Sequence, residues 1–578
     1  MQAGTKNKNL NGNTIESDYQ KKDKKMKTTR LILIGLLALM GLSNFAKAQV
    51  MVKDIGAGTG TSVHDGLANV NGILFFPAND GTNGAELWKS DGTAAGTVMV
   101  KDIYSGATGS DPAGLTNANG TLFFWAKTAA FGTELWKSDG TDAGTVMVKD
   151  IRTGSANSSP VPLTNISGTI FFNAEDANGK ELWKSDGTTA GTIMVKDINP
   201  GGGYANPSDL TNLNGILYFG ASDATNGHEL WKSDGTTAGT VMVANSRPGS
   251  RGLEPYRITN VNGTLFFMGD DGTSGRELWK SDGTASGTVL VKDINPVGIG
   301  SLDFNLIIAN VGNTVFFQAN DGTNGLELWK SDGTASGTVL VKDINPGAST
   351  SISGSGGLTS FKGNLFLQAT DGTNGYELWK SDGTTAGTIM LKDINPGAGN
   401  SFPFYFTEVN GALFFDANDG TNGAELWKSN GTAAGTVMVK DINPGSSGSF
   451  PRGFTNVNGT LFFSAGDGIN GRELWKYAPV TSISQTSDNL PQNFSLLQNY
   501  PNPFNPTTNI RFEVSGSGFV SLKVFDVLGR EVAVLVNEYK QAGIYDVNFD
   551  ASKLSSGIYF YKLQAGNFTS TKKMVLMR

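Results

Sequence analysis

The chain has 578 residues, of which 77 are glycine and only 17% are charged, a composition that favours strands and turns over a helical enzyme. Its net charge of −7 provides no broad basic surface, so nucleic acid and anionic membranes are poor candidate partners. Cysteine is absent and histidine occurs only at His64 and His228, so disulfides, thiolate nucleophiles, Cys-based metal sites and a His-rich metal centre are also excluded.

A secretory signal is predicted at the N-terminus. From Met26 the sequence reads MKTTRLILIGLLALMGLSNFAKAQ, with basic residues, an apolar run over residues 31–42, and small residues before an expected cleavage after Ala48. The apolar run is shorter than the roughly 20 residues that a membrane-spanning helix needs. We therefore assign residues 1–48 to a signal region, with Met26 as the expected start.

An internal repeat dominates the sequence, and a fixed period of about 20 to 50 residues decides the architecture of a chain. The tripeptide ELW occurs nine times, at intervals of 47 to 50 residues. The nine copies end at Trp88, Trp136, Trp183, Trp231, Trp279, Trp329, Trp379, Trp427 and Trp475.

Each unit contains four short β-type runs, xLTNV, TLFFxA, ELWKS and TVMVKDI. Asn-Gly and Asp-Gly supply positive φ at low cost, so hairpin turns are predicted at Asn458-Gly459 and Asp282-Gly283. The LFF and VMV runs place apolar residues on both faces of the pleat, whereas a sheet with one wet face would alternate. Each unit is therefore predicted to form a four-stranded antiparallel sheet that is covered on both sides.

The two ends of the repeat array predict that it closes into a ring. Residues 50–55 (VMVKDI) match a fourth strand with no preceding three, and the last unit stops near Pro479 without a fourth strand. Pairing the two would remove exposed strand edges. The fold class predicted for residues 49–478 is an all-β, single nine-bladed β-propeller, with an open array or two smaller rings as alternatives. The ELWKSDGTxxGT pattern resembles a repeat of surface or secreted bacterial propeller-like proteins.

An acid-rich loop precedes most ELW copies. It could bind calcium or simply form a turn. Its first acids include Asp80, Asp321, Asp371 and Asp419, and Asp, Asn, Thr and carbonyl oxygens are ligands that calcium prefers. The spacing matches no EF-hand, and Asp and Asn also form turns by bonding their own backbone. We favour the turn interpretation and keep calcium as the only candidate cofactor.

Other repeated residues are interpreted as structural. The SDGTxxGT run lacks a P-loop pattern and a following helix, so it does not predict nucleotide binding. The repeated Trp is expected to pack between blades, although a sugar-binding platform is the alternative.

Variation between units is concentrated after VKDI, in the connections between blades. The loop of blade five is the most distinctive, and its candidate binding residues are Arg247, Arg251, Glu254, Tyr256 and Arg257. Such a cationic and aromatic cluster could receive an anionic glycan or a peptide carboxylate, and the alternative is a variable solvated loop.

The repeat ends at a polar linker, predicted at residues 479–493, and six or seven short strands follow over residues 494–578. The runs QNYPNPFNPTTNIRF, VFDVLGREV, LSSGIYFYKL and KKMVLMR resemble a type IX secretion system type A sorting domain. The resemblance implies an immunoglobulin-like sandwich, contact with the secretion machinery, later removal of the module, and attachment of the cargo to surface lipopolysaccharide. The residues that carry it are Pro501, Pro503, Gly529, Arg530, Gly557, Lys572 and Lys573, with Gly529 and Gly557 expected at turns with positive φ.

These observations predict a secreted or surface-attached protein of a Gram-negative bacterium. Catalysis would need a constellation that breaks the repeat, and none is found. The function expected is a monomeric binding or scaffolding propeller with an unknown extracellular ligand. The alternatives are a glycan- or peptide-cleaving enzyme that uses paired carboxylates, and a purely structural surface protein.

Overall fold

The structure is a computed structural model that describes residues 49–297, 300–302, 307–352, 357–478, 493–516, 518–540, 543–566 and 568–577. The signal assigned to residues 1–48 lies outside the described residues, as does almost all of the expected linker. The chain divides into two units, Met1–Tyr477 and Ala478–Arg578, which are described separately below. All regular elements of the described residues are strands, and no helix among them could cross a membrane.

The first unit contains nine four-stranded antiparallel sheets, numbered here 1 to 9 along the chain. The first strands are β2 (Ala68–Val70), β6 (Ala113–Ala118), β10 (Val161–Ile166), β14 (Ser208–Leu213), β18 (Tyr256–Val261), β22 (Ile308–Val311), β26 (Leu358–Phe361), β30 (Phe404–Val409) and β34 (Arg452–Val457). The second strands are β3 (Ile73–Asn79), β7 (Thr121–Thr128), β11 (Thr169–Asp176), β15 (Ile216–Asp223), β19 (Thr264–Asp270), β23 (Thr314–Asn320), β27 (Asn364–Ala369), β31 (Ala412–Asn418) and β35 (Thr460–Gly466).

The third strands carry the ELW motif. They are β4 (Ala85–Ser90), β8 (Gly132–Ser138), β12 (Gly179–Ser185), β16 (Gly227–Ser233), β20 (Arg276–Ser281), β24 (Leu326–Ser331), β28 (Glu377–Ser381), β32 (Ala424–Ser429) and β36 (Arg472–Tyr477). The fourth strands are β5 (Val98–Lys101), β9 (Val146–Lys149), β13 (Ile193–Lys196), β17 (Val241–Ala244), β21 (Val289–Lys292), β25 (Val339–Lys342), β29 (Ile389–Lys392), β33 (Val437–Lys440) and, in sheet 9, β1 (Gln49–Lys53).

Sheet 9 combines the two ends of this unit. Strand β1 pairs antiparallel with β36, so that Val50 lies opposite Lys476 and Met51 opposite Trp475. First strands of neighbouring sheets contact one another, and β34 also contacts β2. This arrangement of four-stranded sheets is consistent with a β-propeller.

The core lies between the sheets, and the LFF run supplies two of its layers at once. Phe75 packs with Trp136 of sheet 2, while its neighbour Phe76 packs with Trp88 and with Phe462 of sheet 9. Alternate residues of a strand point to opposite faces, so one run covers both sides of its sheet. All nine repeated Trp side chains are buried, which confirms their role in packing between sheets.

The turn between first and second strands matches the prediction from Asn-Gly. Asn458 and Gly459 have φ values of 50° and 81°, as a two-residue hairpin turn of type I′ requires. The Asp282-Gly283 prediction of a tight hairpin turn is wrong, because the connection from β20 to β21 spans residues 282–288.

That longer connection is closed by its own side chains, as sheet 1 illustrates. The Asp91 carboxylate accepts hydrogen bonds from the backbone N–H and hydroxyl of Thr93 (2.8 and 2.7 Å). The hydroxyls of Ser90 and Thr97 lie 2.7 Å apart. The polar groups of the SDGT residues thus satisfy one another's hydrogen bonds. This explains why the same residues recur in this turn from sheet to sheet.

Both repeated lysines join neighbouring sheets. The lysine of ELWK donates to the glycine carbonyl of the next SDG turn, as in Lys89 to Gly140 (2.7 Å). The lysine of VKD donates to a threonine carbonyl of the next sheet, as in Lys149 to Thr192 (2.7 Å), and its ammonium lies 5.7 Å from the Trp183 ring centroid. These charge-assisted contacts hold each sheet to the next.

The second unit consists of seven strands in two sheets around one core. The three-stranded sheet contains β37 (Ser495–Leu496), β38 (Thr507–Val514) and β41 (Gly543–Asp550). The four-stranded sheet contains β39 (Gly518–Phe525), β40 (Glu531–Lys540), β42 (Gly557–Ala565) and β43 (Phe568–Leu576). Ile510 and Phe512 of the first sheet share the core with Leu522 and Tyr561 of the second.

Candidate functional site

The variable connections and the acid-rich loops lie at the same end of each sheet, called the loop end here. The glutamate of ELW fixes this arrangement. In sheet 1 the Glu86 carboxylate accepts hydrogen bonds from the N–H groups of Ile103 (3.0 Å), Tyr104 (3.1 Å) and Ser110 (2.8 Å), and from the Ser110 hydroxyl (2.6 Å). The connection to sheet 2 is therefore fastened to the start of the third strand of sheet 1.

Every sheet has such a glutamate, and all nine are fully buried. These loop-anchoring glutamates are Glu86, Glu134, Glu181, Glu229, Glu277, Glu327, Glu377, Glu425 and Glu473. Burial penalises the charged form and raises the pKa of six of them to about 7, although N–H donors oppose the shift. Nine equivalent acids that accept from N–H groups of the following connection indicate a role in folding.

The acidic loop residues proposed as calcium ligands bind their own loops. Asp80 Oδ1 accepts from the N–H groups of Thr82 and Asn83 (both 2.9 Å), and Oδ2 accepts from the Asn83 amide (2.8 Å). The same three bonds recur at Asp321, Asp371 and Asp419. Burial opposes the shift, but these bonds lower the pKa of all four carboxyls.

This bonding is that of an Asx turn, which needs no metal. Among the described residues, no group of three or more acidic or histidine side chains is arranged to hold a metal ion. Calcium binding therefore stays a prediction.

The predicted cationic loop brings Arg247, Arg251 and Glu254 together with a residue that sequence analysis missed, Asp270. Arg247 forms an ion pair with Asp270 (2.9 Å), and Arg251 forms one with Glu254 (3.0 Å) and approaches Asp270 (3.8 Å). Two arginines thus face two carboxylates. An anionic ligand would have to compete with these internal pairs.

The other two predicted residues of that loop lie apart from the ion pairs. Tyr256 stacks on His228, with ring centroids 5.7 Å apart. Burial lowers the pKa of His228 to about 4, and its Nδ1 lies 3.0 Å from the Ser222 hydroxyl. Arg257 is exposed in β18 with a φ of 57°.

A cluster of aromatic side chains at the loop ends of sheets 7 to 9 was not predicted from the sequence. Phe402 lies between Tyr376 and Phe404, with centroid distances of 5.8 and 6.3 Å and nearly parallel rings. Tyr405 contacts both Phe404 (6.2 Å) and Phe454 (6.4 Å). The sequence signal was available in the runs SFPFYF and SFPRGF, which break the repeat.

Three aromatic residues in this region are both exposed and unusual in backbone conformation. Phe402, Tyr405 and Phe450 are 43%, 50% and 46% exposed, and their φ values are 45°, 60° and 50°. Bulky residues rarely adopt positive φ, because Cβ then crowds the backbone. Phe450 occupies in sheet 9 the position that Phe402 occupies in sheet 8. Other sheets carry Asp111, Ser159, Asn206 and Glu254 there, also with positive φ.

Polar groups accompany these rings. Asp416 lies directly opposite Phe404 in the β30–β31 pair and is only 8% exposed. Burial, followed by the charge of Glu425, raises the pKa of Asp416 to about 8, although Arg452 and Arg472 oppose the shift. The Arg472 guanidinium donates to the Phe450 carbonyl (2.8 Å) and to the Ser464 hydroxyl (3.2 Å).

In the second unit, the proline-rich segment forms hydrogen bonds with the last residues that the structure describes. The N–H of Phe504 donates to the Val575 carbonyl (3.0 Å), and the N–H of Met577 donates to the Phe504 carbonyl (3.0 Å). The Tyr561 hydroxyl accepts from the Asn499 N–H (2.7 Å) and donates to the Leu497 carbonyl (2.8 Å). These bonds give the QNYPNPFNP motif a structural role.

The predicted residues of the sorting module occupy three places. Pro501 and Pro503 lie in that segment, where the Pro501 carbonyl accepts from the Thr508 hydroxyl (2.8 Å). Gly529 (φ 76°) and Arg530 form a turn in which the Arg530 N–H and guanidinium bond Asp526 (2.9 and 2.7 Å). Lys572 and Lys573 belong to β43, opposite Tyr561 and Phe560.

The positive φ predicted for Gly557 is wrong, because this residue begins strand β42 opposite Leu576 and has no positive φ. A groove of about 1100 Å³ lies on this unit. Its lining includes Phe494, Phe519, Lys523, Lys562 and Phe568.

Comparison with known proteins identifies the second unit. Residues 498–577 match the model of the secretion system C-terminal sorting domain family. No curated protein matches the sequence significantly.

Several solved structures align with the chain at low similarity. They include a Mycobacterium tuberculosis puromycin-hydrolysing peptidase (12% identity, 62% of this chain and 57% of that chain, TM-score 0.32) and Saccharomyces cerevisiae Sqt1 (12%, 74% and 99%, 0.33). A third is PorZ, a surface component of the type IX secretion system of Porphyromonas gingivalis (11%, 92% and 82%, 0.20). The chain spans little more than half the length of the peptidases it matches. TM-scores this low carry no argument about fold or function.

The sorting domain decides where the protein goes. Its presence indicates interaction with the type IX secretion machinery, whose cargoes leave the cell. The prediction of an exported protein is therefore confirmed: the chain is delivered through type IX secretion to the cell surface or the extracellular space of a Gram-negative bacterium.

Proposed function

We propose that this protein is an extracellular binding protein whose first unit is a single nine-bladed propeller. One observation carries the proposal: the bonds that hold the sheets recur from unit to unit, whereas the connections at the loop ends differ in length and charge. A scaffold of constant sheets with variable loops at one end is how many folds present a binding surface.

Bonds between the last and first sheets support the ring. The Thr455 hydroxyl donates to the Leu67 carbonyl (3.3 Å), and the Asn69 amide donates to the Asn456 carbonyl (3.0 Å). The same threonine and asparagine bonds join sheets 2 and 3 to their neighbours, as in Asn165 to Asn117 (3.0 Å). Sheet 9 therefore meets sheet 1 through bonds of the same kind as those between sheets 2 and 3.

The domain boundaries and the fate of the second unit belong to the same proposal. A signal over residues 1–48 is removed, residues 49–478 form the ring, residues 479–493 link it to the rest, and residues 494–578 form an immunoglobulin-like sandwich. Two sheets that share one core support the sandwich. After export the sandwich is cleaved off and the monomeric propeller is released or attached to lipopolysaccharide.

The exported protein should be tested on an array of glycans and extracellular proteins, together with a screen for polysaccharide and peptide cleavage. Binding without turnover supports the proposal, and turnover would favour the enzyme alternative. Failure to bind any surface component of its own or neighbouring cells would leave only a structural role.

Export should be tested separately, by fusing residues 480–578 to a periplasmic reporter in a host with type IX secretion. The reporter should appear outside the cell. Retention in the periplasm would contradict a sorting role for the module by itself.

A further inference from the structure

We propose that the exposed aromatic residues of sheets 8 and 9 form a binding site for a pyranose residue of a glycan. This inference rests on the proposed binding function and gives it a ligand class and a place. The site comprises Phe402, Tyr405 and Phe450 as aromatic surfaces, with Asp416 and Arg452 as polar partners.

The backbone conformation of the three aromatic residues is the first argument. At the position of Phe402 and Phe450, other sheets use Asp111, Ser159, Asn206 and Glu254, which are polar residues that also have positive φ. Folding alone would favour such a residue. Exposed aromatic residues at this position in two successive sheets, where sheets 2 to 5 carry polar side chains, indicate a function beyond folding.

Tyr405, three residues after Phe402, repeats this pattern. Its counterparts are Gly114 and Gly453 in sheets 2 and 9, both with a φ of 66°, and Asp209 and Arg257 in sheets 4 and 5, with φ values of 53° and 57°. Glycine adopts this conformation without strain, whereas Tyr405 adopts it with half of its side chain exposed. Because exposure of a large aromatic residue also costs hydration free energy, Tyr405 is disfavoured twice by folding.

Asp416 provides an independent sign of a ligand. Its Oδ1 atom is buried and lacks a hydrogen-bond partner among the described residues. Residues directly opposite in an antiparallel pair point to the same face, so the Asp416 carboxyl lies on the face of Phe404, whose ring stacks on Phe402. A buried acceptor without a partner is costly, and a ligand hydroxyl would relieve that cost.

The chemistry of these groups selects a sugar. One face of a pyranose ring presents C–H bonds that pack on an aromatic ring, while its hydroxyls need acceptors and donors. Asp416 offers the acceptor, and the exposed Arg452, whose charge acts on Asp416, offers donors. Arg472 prepares the site by holding the Phe450 carbonyl (2.8 Å). A purely apolar partner would leave Asp416 unsatisfied.

The test uses substitutions that the chain itself uses elsewhere at these positions. Phe402→Asn and Phe450→Asn introduce the residue of Asn206, and Tyr405→Gly introduces the residue of Gly453. Each removes a ring while retaining an allowed backbone, so the melting temperature should stay level or rise. Tyr204→Ala serves as the control, because Tyr204 is also 50% exposed in a variable connection but belongs to sheets 3 and 4.

Binding of the full-length exported protein is measured on arrays of neutral and uronate-containing glycans, followed by calorimetric titration with the best oligosaccharide. Phe450→Asn and Tyr405→Gly should each weaken binding at least tenfold, and Tyr204→Ala should change it less than twofold. Asp416→Ala should weaken the binding of neutral and acidic glycans alike. Arg452→Ala should weaken the binding of uronate-containing glycans more than that of neutral ones.

Three results would overturn the inference. If the wild-type protein binds a glycan and the folded variants retain its affinity, the site is wrong and the proposed function stands. If the wild-type protein binds only extracellular proteins, the ligand class is wrong and the proposed function again stands. If it binds nothing, both fail.

Discussion

The ammonium of Lys476, in the last sheet of the first unit, donates a hydrogen bond of 2.7 Å to the main-chain carbonyl of Gly92, in the first. The two residues are 384 positions apart in the sequence. The bond is the same as that from Lys89 to Gly140 between adjacent sheets. A contact that normally joins sequence neighbours thus joins the two ends of the array.

Deletion of residues 50–55 should lower the melting temperature by several degrees. The deletion removes the strand that pairs with β36 and exposes the cavity left by Val52 and Ile55, which are buried. Loss of such side chains costs roughly 2 kcal/mol each. Thermal unfolding followed by circular dichroism measures the effect.

Lys476→Met provides the comparison for that deletion, because it removes one inter-sheet bond worth about 1 kcal/mol and leaves β1 in place. Its effect should be smaller. An unchanged melting temperature in the deletion variant would show that pairing of β1 with β36 does not close the ring of sheets.

Stability should decrease as the pH rises from about 5 to 8. Burial raises the pKa of the six glutamates, among them Glu327, from 4.5 to about 7, so the folded protein binds more protons than the unfolded chain between these values. The stability linked to each is fully present below pH 4.5 and is lost as the pH rises through 7. Each contributes on the order of 3 kcal/mol at most.

The turn aspartates act in the opposite direction at lower pH. Hydrogen bonds from Thr334 lower the pKa of Asp332, and the same holds for equivalent residues, so their stabilisation is present above 3.8 and lost below it. Chemical denaturation across pH 3 to 9 should therefore show a maximum near pH 5. Glu327→Gln should flatten the slope above that maximum, whereas the exposed Glu408→Gln should not. A stability that rises from pH 5 to 8 would contradict the prediction.

Asp321→Ala should lower the free energy of unfolding by about 1 kcal/mol equally with and without calcium, because it removes three hydrogen bonds within its own loop. Asp321→Asn retains an acceptor for the two N–H donors and should lose less. Differential scanning calorimetry in calcium and in chelator measures both. Calcium-dependent stabilisation of the wild type that Asp321→Ala abolishes would establish the metal interpretation instead.

Tyr561→Phe should destabilise the second unit by about 1 to 2 kcal/mol. The hydroxyl joins the Asn499 N–H to the Leu497 carbonyl, and its removal leaves both groups without this partner, the Asn499 N–H in a buried place. Tyr539→Phe, at an exposed position of β40, is the matched control. Equal unfolding midpoints for the two variants would mean that the motif is not held through this hydroxyl.

Much of the fold could be predicted because the same kinds of turn residues and apolar runs recur from repeat to repeat. Asn458-Gly459 requires positive φ at two residues, and the LFF run requires two covered faces, so the strands followed from local chemistry. The unmatched fourth strand at Val50 likewise predicted its partner. The turn at Asp282 was misjudged, because Asp-Gly also begins the longer loop that threonine hydroxyls close.

The candidate site followed from the sequence only in part. Arg247 and Arg251 were found because their charges break the repeat, but their partner Asp270 lies on another strand, and only the tertiary structure joins them. Phe402 and Tyr405 were missed because apolar letters in a β-rich chain are expected to be buried. Exposure and φ depend on the whole chain.

The sequence by itself determined that the protein is exported and that four-stranded sheets repeat nine times, because sorting motifs and turn residues act through local chemistry. Only the tertiary structure decided that Glu86 and its equivalents anchor loops, since their donors are distant in the sequence, 17 to 24 residues away for Glu86 and 418 for Glu473. It also decided which charged side chains form ion pairs and which aromatic rings are exposed. Those properties depend on which residues of different strands come together, and neither periodicity nor composition contains that information.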